Sequence, residues 1–194
     1  KPVLAGLVRS VKGNHIQVEL PDGQILPAKP RGKLRLDEGN FPVCGDFVTL
    51  KESVPHHVIE NIFPRKRVFS RLLPMGKNKI KELTAFANVE QVLILCSWRE
   101  PQLKHGFLNR MLVIAHQRGF VPIICFNKND LLDEAERNDA LAAYRMAGYR
   151  CFDISVKTGD GLDELASIFP GKITAIVGQS GVGKSSFMNT LNAD

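Results

Sequence analysis

At 194 residues the chain has room for one or two domains. Its composition, 44% hydrophobic and 24% charged, supports a buried core and excludes wholesale disorder. The net charge of +6 is lopsided: residues 1–83 carry 15 Lys/Arg against 8 Asp/Glu, whereas residues 84–194 carry 11 against 12. The basic excess therefore belongs to the N-terminal part, where it favours polyanionic partners. No apolar run approaches the length of a membrane span, so no membrane association is expected. The opening KPVLAGLVRSVKGNH alternates apolar and polar residues and lacks the continuous apolar core of a signal peptide. With no initiator Met, the extreme N-terminus is read as trimmed or absent. Cys44, Cys96, Cys125 and Cys151 lie far apart and form no CxxC pair. The expectation is buried free thiols in a reducing, cytoplasmic setting, with no zinc site within this chain.

Residues 1–64 read as short strands: VLAGLVRSV, HIQVEL, ILPAK, DFVTLKE and HHVIENIF. Pro, Gly, Asp and Asn punctuate them. About five strands in some sixty residues suit a small closed sheet, an OB-type or SH3-like barrel. PRGKLRLDEGNFP (residues 30–42) is a long loop of that barrel. Residues 65–83 read as a basic connector. From its start to Lys81, Arg65, Lys66, Arg67, Arg71, Lys77, Lys79 and Lys81 occur without an acidic residue. Such a run attracts nucleic acid through counterion release, and Arg65, Lys66, Arg67 and Arg71 are candidate RNA-binding residues.

From residue 84 the rhythm changes. VEQVLILCS and VPIICF are buried-strand runs, and YRCFDI and ITAIVG are two more strands. Between the first two, LKHGFLNRMLVIAHQRG reads as a helix with Leu103, Phe107, Met111 and Ala115 on one face. DEAERNDALAAYRMAG, GLDELASIF and KSSFMNTLN read as further helices. Strands alternating with helices predict a parallel sheet covered on both faces.

The last strand leads into G-x-x-x-x-G-K-S, filled by Gly178, Gln179, Ser180, Gly181, Val182, Gly183, Lys184 and Ser185, with Ser186 following. Strand, glycine-rich turn and helix are the setting of a phosphate-binding loop. Its glycines let backbone N–H groups converge on a phosphate at a helix N-terminus. Lys184 would place its charge between β- and γ-phosphates, and the Ser185 hydroxyl would ligate Mg²⁺. The base is chosen elsewhere. Asn127, Lys128, Asn129 and Asp130 follow VPIICF, at the sheet edge where such folds bind ligands. The Asp130 carboxylate can accept from guanine N1–H and the exocyclic amine, donors that adenine lacks there. The Lys128 stem can lie along the base, and Asn127 can tie this loop to the phosphate loop. Ser155, Val156 and Lys157 follow the next strand, and the Val156 N–H can donate to guanine O6. Three motifs at three strand ends favour a guanine nucleotide over an adenine one.

In the usual order of GTPases the phosphate loop comes first. Here it comes last, so the order is circularly permuted, a change that neighbouring termini make feasible. The barrel, the basic connector and this order, with VCGDFV, ANVEQVLIL, FNKNDLL and GQSGVGKSSFMNTL, resemble one family over essentially the whole chain. It is that of ribosome small-subunit-dependent GTPase A, the RsgA/YjeQ-like proteins. Val156 stands where many GTPases have Ala, which matters little if only its backbone is used.

The resemblance implies an α/β protein: an OB-type β-barrel over 1–64, the connector over 65–83 and a circularly permuted P-loop GTPase domain with a parallel sheet over 84–194, incomplete at its C-terminus. It implies GTP/GDP and Mg²⁺ as ligands and GTP hydrolysis stimulated by the small (30S) ribosomal subunit. It further implies a role late in that subunit's maturation, contact with its rRNA, a cytoplasmic setting and a monomer. The switch loops, the water-positioning residue and the family's zinc-binding C-terminal domain would lie beyond residue 194, so Zn²⁺ is expected only there and this portion is expected to hydrolyse GTP poorly. Two other readings stay open on the residues: a P-loop ATPase or kinase, and an RNA-binding module whose nucleotide site does not turn over.

Overall fold

The structure is a computed structural model that describes residues 4–32, 34, 41–74 and 80–191; for 71–74 and 80–82 it describes the backbone. Most of the loop at 30–42, together with Lys77 and Lys79, lies outside the described residues. The chain divides into two compact units, Lys1–Asn88 and Val89–Asp194.

The first unit holds a closed barrel of five strands: β1 (Leu4–Lys12), β2 (His15–Glu19), β3 (Ile25–Pro30), β4 (Phe47–Lys51) and β5 (His57–Ile62). Their order round the barrel is β1-β2-β3-β5-β4, all antiparallel except the parallel pair β3–β5. Alternation explains the core: Val8, Ile16, Val18, Ala28, Val48, Leu50 and Ile59 point inward and are buried. Register shifts at Val8/Ser10 and Thr49/Leu50 bend the strands enough to close the sheet.

The stretch expected to be a connector is folded. β6 (Val68–Pro74) and β7 (Ile80–Ala87) pair as an antiparallel hairpin, with Phe69 and Phe86 stacked at 4.6 Å. The hairpin docks on the barrel within the first unit. Ala87 N–H donates to the Cys44 carbonyl at 2.9 Å, and the Asn88 amide donates to the Gly45 carbonyl at 3.0 Å. Gly45, at φ +88, lies so close beneath this strand that a Cβ there would sit 1.8 Å from the Ala87 carbonyl oxygen. Only glycine fits that position.

The second unit is a parallel sheet of β8 (Gln91–Ser97), β9 (Val121–Asn127), β10 (Arg150–Asp153) and β11 (Thr174–Gly178), in the order β10-β9-β8-β11. The helices are α1 (His105–Gln117), α2 (Glu134–Met146), α3 (Leu162–Ala166) and α4 (Lys184–Leu191). Leu93, Leu95, Ile123, Cys125, Phe152 and Ile154 share one core with Leu165, Val182 and Phe187. On α1 the buried positions are Leu108, Leu112 and Ala115. Phe107 and Met111, expected on the buried face, are only half-buried. The helix is rotated by about one residue from that reading, because Leu108 and Leu112 offer a longer apolar stripe to the sheet. Every residue of β11 is half-buried, and among the described residues it pairs with β8 alone.

Candidate functional site

All parallel strands end at the same edge of the sheet, and the loops after β9, β10 and β11 meet there. Asn127 is the junction. It ends β9, is 2% exposed, and uses both halves of its amide. Its Nδ2 donates to the Val182 carbonyl in the loop before α4 at 2.9 Å. Its Oδ1 accepts from the Val156 N–H after β10 at 3.1 Å. One side chain thereby fixes three loops relative to one another. Gly183 makes room for it: at φ +97, a Cβ there would lie 2.5 Å from Asn127 Nδ2.

Around this junction the base-side loops are tightly cross-linked. The Ser155 hydroxyl, fully buried, donates to Asp130 Oδ1 at 2.7 Å. The Lys157 ammonium stands 3.9 Å from Asp130 Oδ2, and the Asp130 side chain is 16% exposed. Asn129 donates to the Asp160 carboxylate, and its N–H bonds the Ile154 carbonyl. Thr158 N–H returns to the Ser155 oxygen. Asp130 thus reaches the site edge as an oriented carboxylate with both oxygens placed by neighbours, an arrangement suited to a two-donor partner.

The loop between β11 and α4 runs from Gln179 to Gly183, with Gly181 at φ +81 and Gly183 at φ +97. Gly178 is packed so closely on β8 that a Cβ would fall 2.3 Å from the Leu95 carbonyl oxygen. Lys184 folds back over this loop, its ammonium donating to the carbonyls of Gly178 (2.9 Å) and Gln179 (2.6 Å). Ser185 and Ser186 are exposed on the first turn of α4. An exposed hydroxyl beside Lys184 fits Mg²⁺, a hard cation that takes oxygen ligands. Among the described residues no group of three His, Cys, Asp or Glu could hold a metal ion.

Sequence reasoning missed three supports. Asp160 anchors Asn129. Trp98 stacks on Phe126 at 4.4 Å and donates its indole N–H to Asp153 at 2.7 Å; Asp153 also pairs with Arg137. The turn at Glu100–Pro101 abuts both Lys128 and Gly181. The available signal was the position of SWREP directly after a buried strand, at the same sheet edge.

The RNA candidates separate. Arg65 is engaged by the barrel: its guanidinium donates to both oxygens of Asp46 and to the Phe41 carbonyl, each at 2.8 Å. Asp46 is fully buried and the Arg65 side chain is 15% exposed. A guanidinium held this way is a structural partner of the barrel unit. Lys66 and Arg67 are exposed. The Arg71 side chain lies outside the described residues. Of the cysteines, Cys96, Cys125 and Cys151 are buried and Cys44 is half-buried, all as free thiols. Burial pushes the Cys96 thiol up to about 12 and that of Cys151 to about 11; Cys125 is raised well above its usual range by the same cause.

Barrel order, sheet order and loop content together define a circularly permuted P-loop GTPase fold that follows an OB-type barrel in the chain. The sequence model of the family described as RsgA GTPase matches residues 62–194, and the chain belongs to that family. It is 36% identical to the small ribosomal subunit biogenesis GTPase RsgA of Photorhabdus laumondii, over 96% of this chain and 53% of that protein. It is 37% identical to the protein of the same name from Saccharophagus degradans, over 98% of this chain and 56% of the relative. The chain thus spans about half the length of the curated relatives it matches. Among solved structures it is similar to YjeQ from Thermotoga maritima, with a TM-score of 0.70 and 31% identity over 98% of this chain and 66% of the other. It is also similar to YloQ, described as a circularly permuted GTPase, with a TM-score of 0.62 and 25% identity over 99% and 65% of the two chains.

Proposed function

We propose that this chain is the barrel and nucleotide-binding portion of a GTP-hydrolysing factor that acts in late maturation of the small (30S) ribosomal subunit. The observation that carries the reading is the Asn127 junction, which holds the phosphate loop, N-K-N-D and S-V-K in one frame. In that frame Asp130 takes the guanine N1–H and exocyclic amine, and the Val156 N–H, which bonds Asn127 Oδ1 in the absence of nucleotide, turns to O6 when the base binds. Lys128 covers the base. The amides from Gly178 to Ser186 cradle the phosphates, Lys184 leaves its backbone carbonyls for the β- and γ-oxygens, and the Ser185 hydroxyl ligates Mg²⁺. Mg²⁺ supplies charge neutralisation at the phosphates. Lys184 and the loop amides stabilise the charge that develops as water attacks the γ-phosphate. The barrel, with exposed Lys66 and Arg67, faces rRNA. The names of the relatives support the ribosomal partner, and the factor works in the cytoplasm as a monomer.

The test is GTP turnover by the full-length protein with and without purified small subunits. Stimulation above about tenfold, with subunit affinity that differs between a GTP analogue and GDP, is the expected result. Subunit binding that is indifferent to nucleotide and survives Lys184→Ala would replace this reading by that of an RNA-binding module.

A further inference from the structure

The turn after β8 belongs to none of the three nucleotide loops, yet it is fastened to two of them. Trp98 N–H donates to the Asn127 carbonyl at 3.1 Å. The Ser97 hydroxyl, on a residue 2% exposed, closes the turn by donating to the Pro101 carbonyl at 2.6 Å. The Pro101 ring lies against the phosphate loop, where a Cβ on Gly181 would be 3.3 Å from its Cδ. At the tip, the Lys128 ammonium donates to the Glu100 backbone carbonyl. Both residues of that contact are left-handed without being glycine: Glu100 has φ 54 and Lys128 has φ 65. Such backbones are disfavoured for L side chains and persist only where surrounding contacts impose them.

We propose that Glu100 is a positioning residue for the nucleotide, acting through Lys128. The proposal rests on the guanine reading above. A lysine head free in solvent spreads its long stem over many rotamers, and ordering it opposes binding. The Glu100 carbonyl holds the head at one place, so the stem is already aligned when the base arrives. The acting group is the backbone oxygen, aimed by a positive φ. The Glu100 side chain is dispensable, whereas its backbone conformation is not.

The experiment is titration of the full chain with a fluorescent GDP analogue. Glu100→Gly keeps the left-handed turn and binds within about twofold of the parent. Glu100→Val, whose branched side chain resists positive φ, binds about tenfold more weakly. In a Lys128→Met background the carbonyl has no ammonium to hold, and Glu100→Val then costs less than about twofold. If Glu100→Val does not fold, Ser97→Ala loosens the same turn from its other end. It must show the same dependence on Lys128. Equal binding by parent, Glu100→Gly and Glu100→Val overturns the proposal. So does a Glu100→Val loss that persists undiminished with Met at 128, since the turn would then act through the phosphate loop. Failure of the parent protein to bind the GDP analogue would instead sink the guanine reading itself.

Discussion

Asp130 and Ser155 form the contact on which the proposed guanine preference rests. The Ser155 hydroxyl fills one lone pair of the carboxylate and aims it. Asp130→Asn puts an amide donor where guanine presents its own donors. The variant should lose affinity for GDP by about tenfold or more and gain it for xanthosine diphosphate, which presents an oxygen there. Competition between the two nucleotides measures this, and equal binding of ATP and GTP with no effect of the change would favour the adenine reading. The buried thiols make a separate prediction. An unfolded cysteine ionises near 9.0, whereas Cys96 in the fold holds its proton to about 12. Above pH 9 the folded state therefore binds more protons than the unfolded state, and stability falls as pH rises, by about 1.4 kcal/mol per unit for such a thiol. Denaturant melts from pH 8 to 10.5 should show this decline, and Cys96→Ala should flatten its slope. The three candidate loops were legible in the sequence because each motif is contiguous and follows a strand. Glu100 was not, because a backbone carbonyl leaves no residue-type signature.

The hairpin β6–β7 and its neighbours show where reading by element failed. Seven cations without an acid between them suggested a basic, nucleic-acid-facing connector, and within it Val68 and Phe69 pair with Ala87 and Phe86 as an apolar ribbon. Its stability comes from docking on the barrel, a long-range fact that local composition does not carry. Arg65 and Lys66 are adjacent in sequence but should behave oppositely. Arg65→Ala leaves Asp46 charged and buried, and should destabilise the first unit by about 3–5 kcal/mol. Lys66→Ala with Arg67→Ala should leave the melting temperature unchanged and reduce the slope of log affinity for RNA against log salt by about 1 to 2. Salt-dependent RNA titrations beside thermal melts separate the two; an Arg65→Ala protein as stable as the parent would mean that Asp46 finds water instead.

On the scale of the whole molecule, the five barrel strands and four sheet strands were legible from alternation and apolar runs, as was the permuted order. The boundary between units was not. Reading by composition ended the barrel at residue 64 and began the next domain at residue 84 with a connector between, whereas compactness places 65–88 with the barrel and divides the chain after Asn88. The reason is the pairing of Ala87 with Cys44 and of Asn88 with Gly45 and Lys66. A fragment ending at Asn88 should unfold cooperatively in urea. One ending at residue 64 lacks those partners and Arg65, and should show a lower midpoint or no transition. Identical midpoints would return the boundary to residue 64.

The permuted order also sets a timetable. A ribosome making this chain releases β8, β9 and β10 before Thr174 emerges, and chains emerge at about 5–20 residues per second. The loops proposed to select the base can therefore assemble seconds before the strand that leads into the proposed phosphate loop. During that interval Asn127 has no Val182 to hold, and on the proposed reading the nascent protein retains no nucleotide until its last described strand and helix are in place.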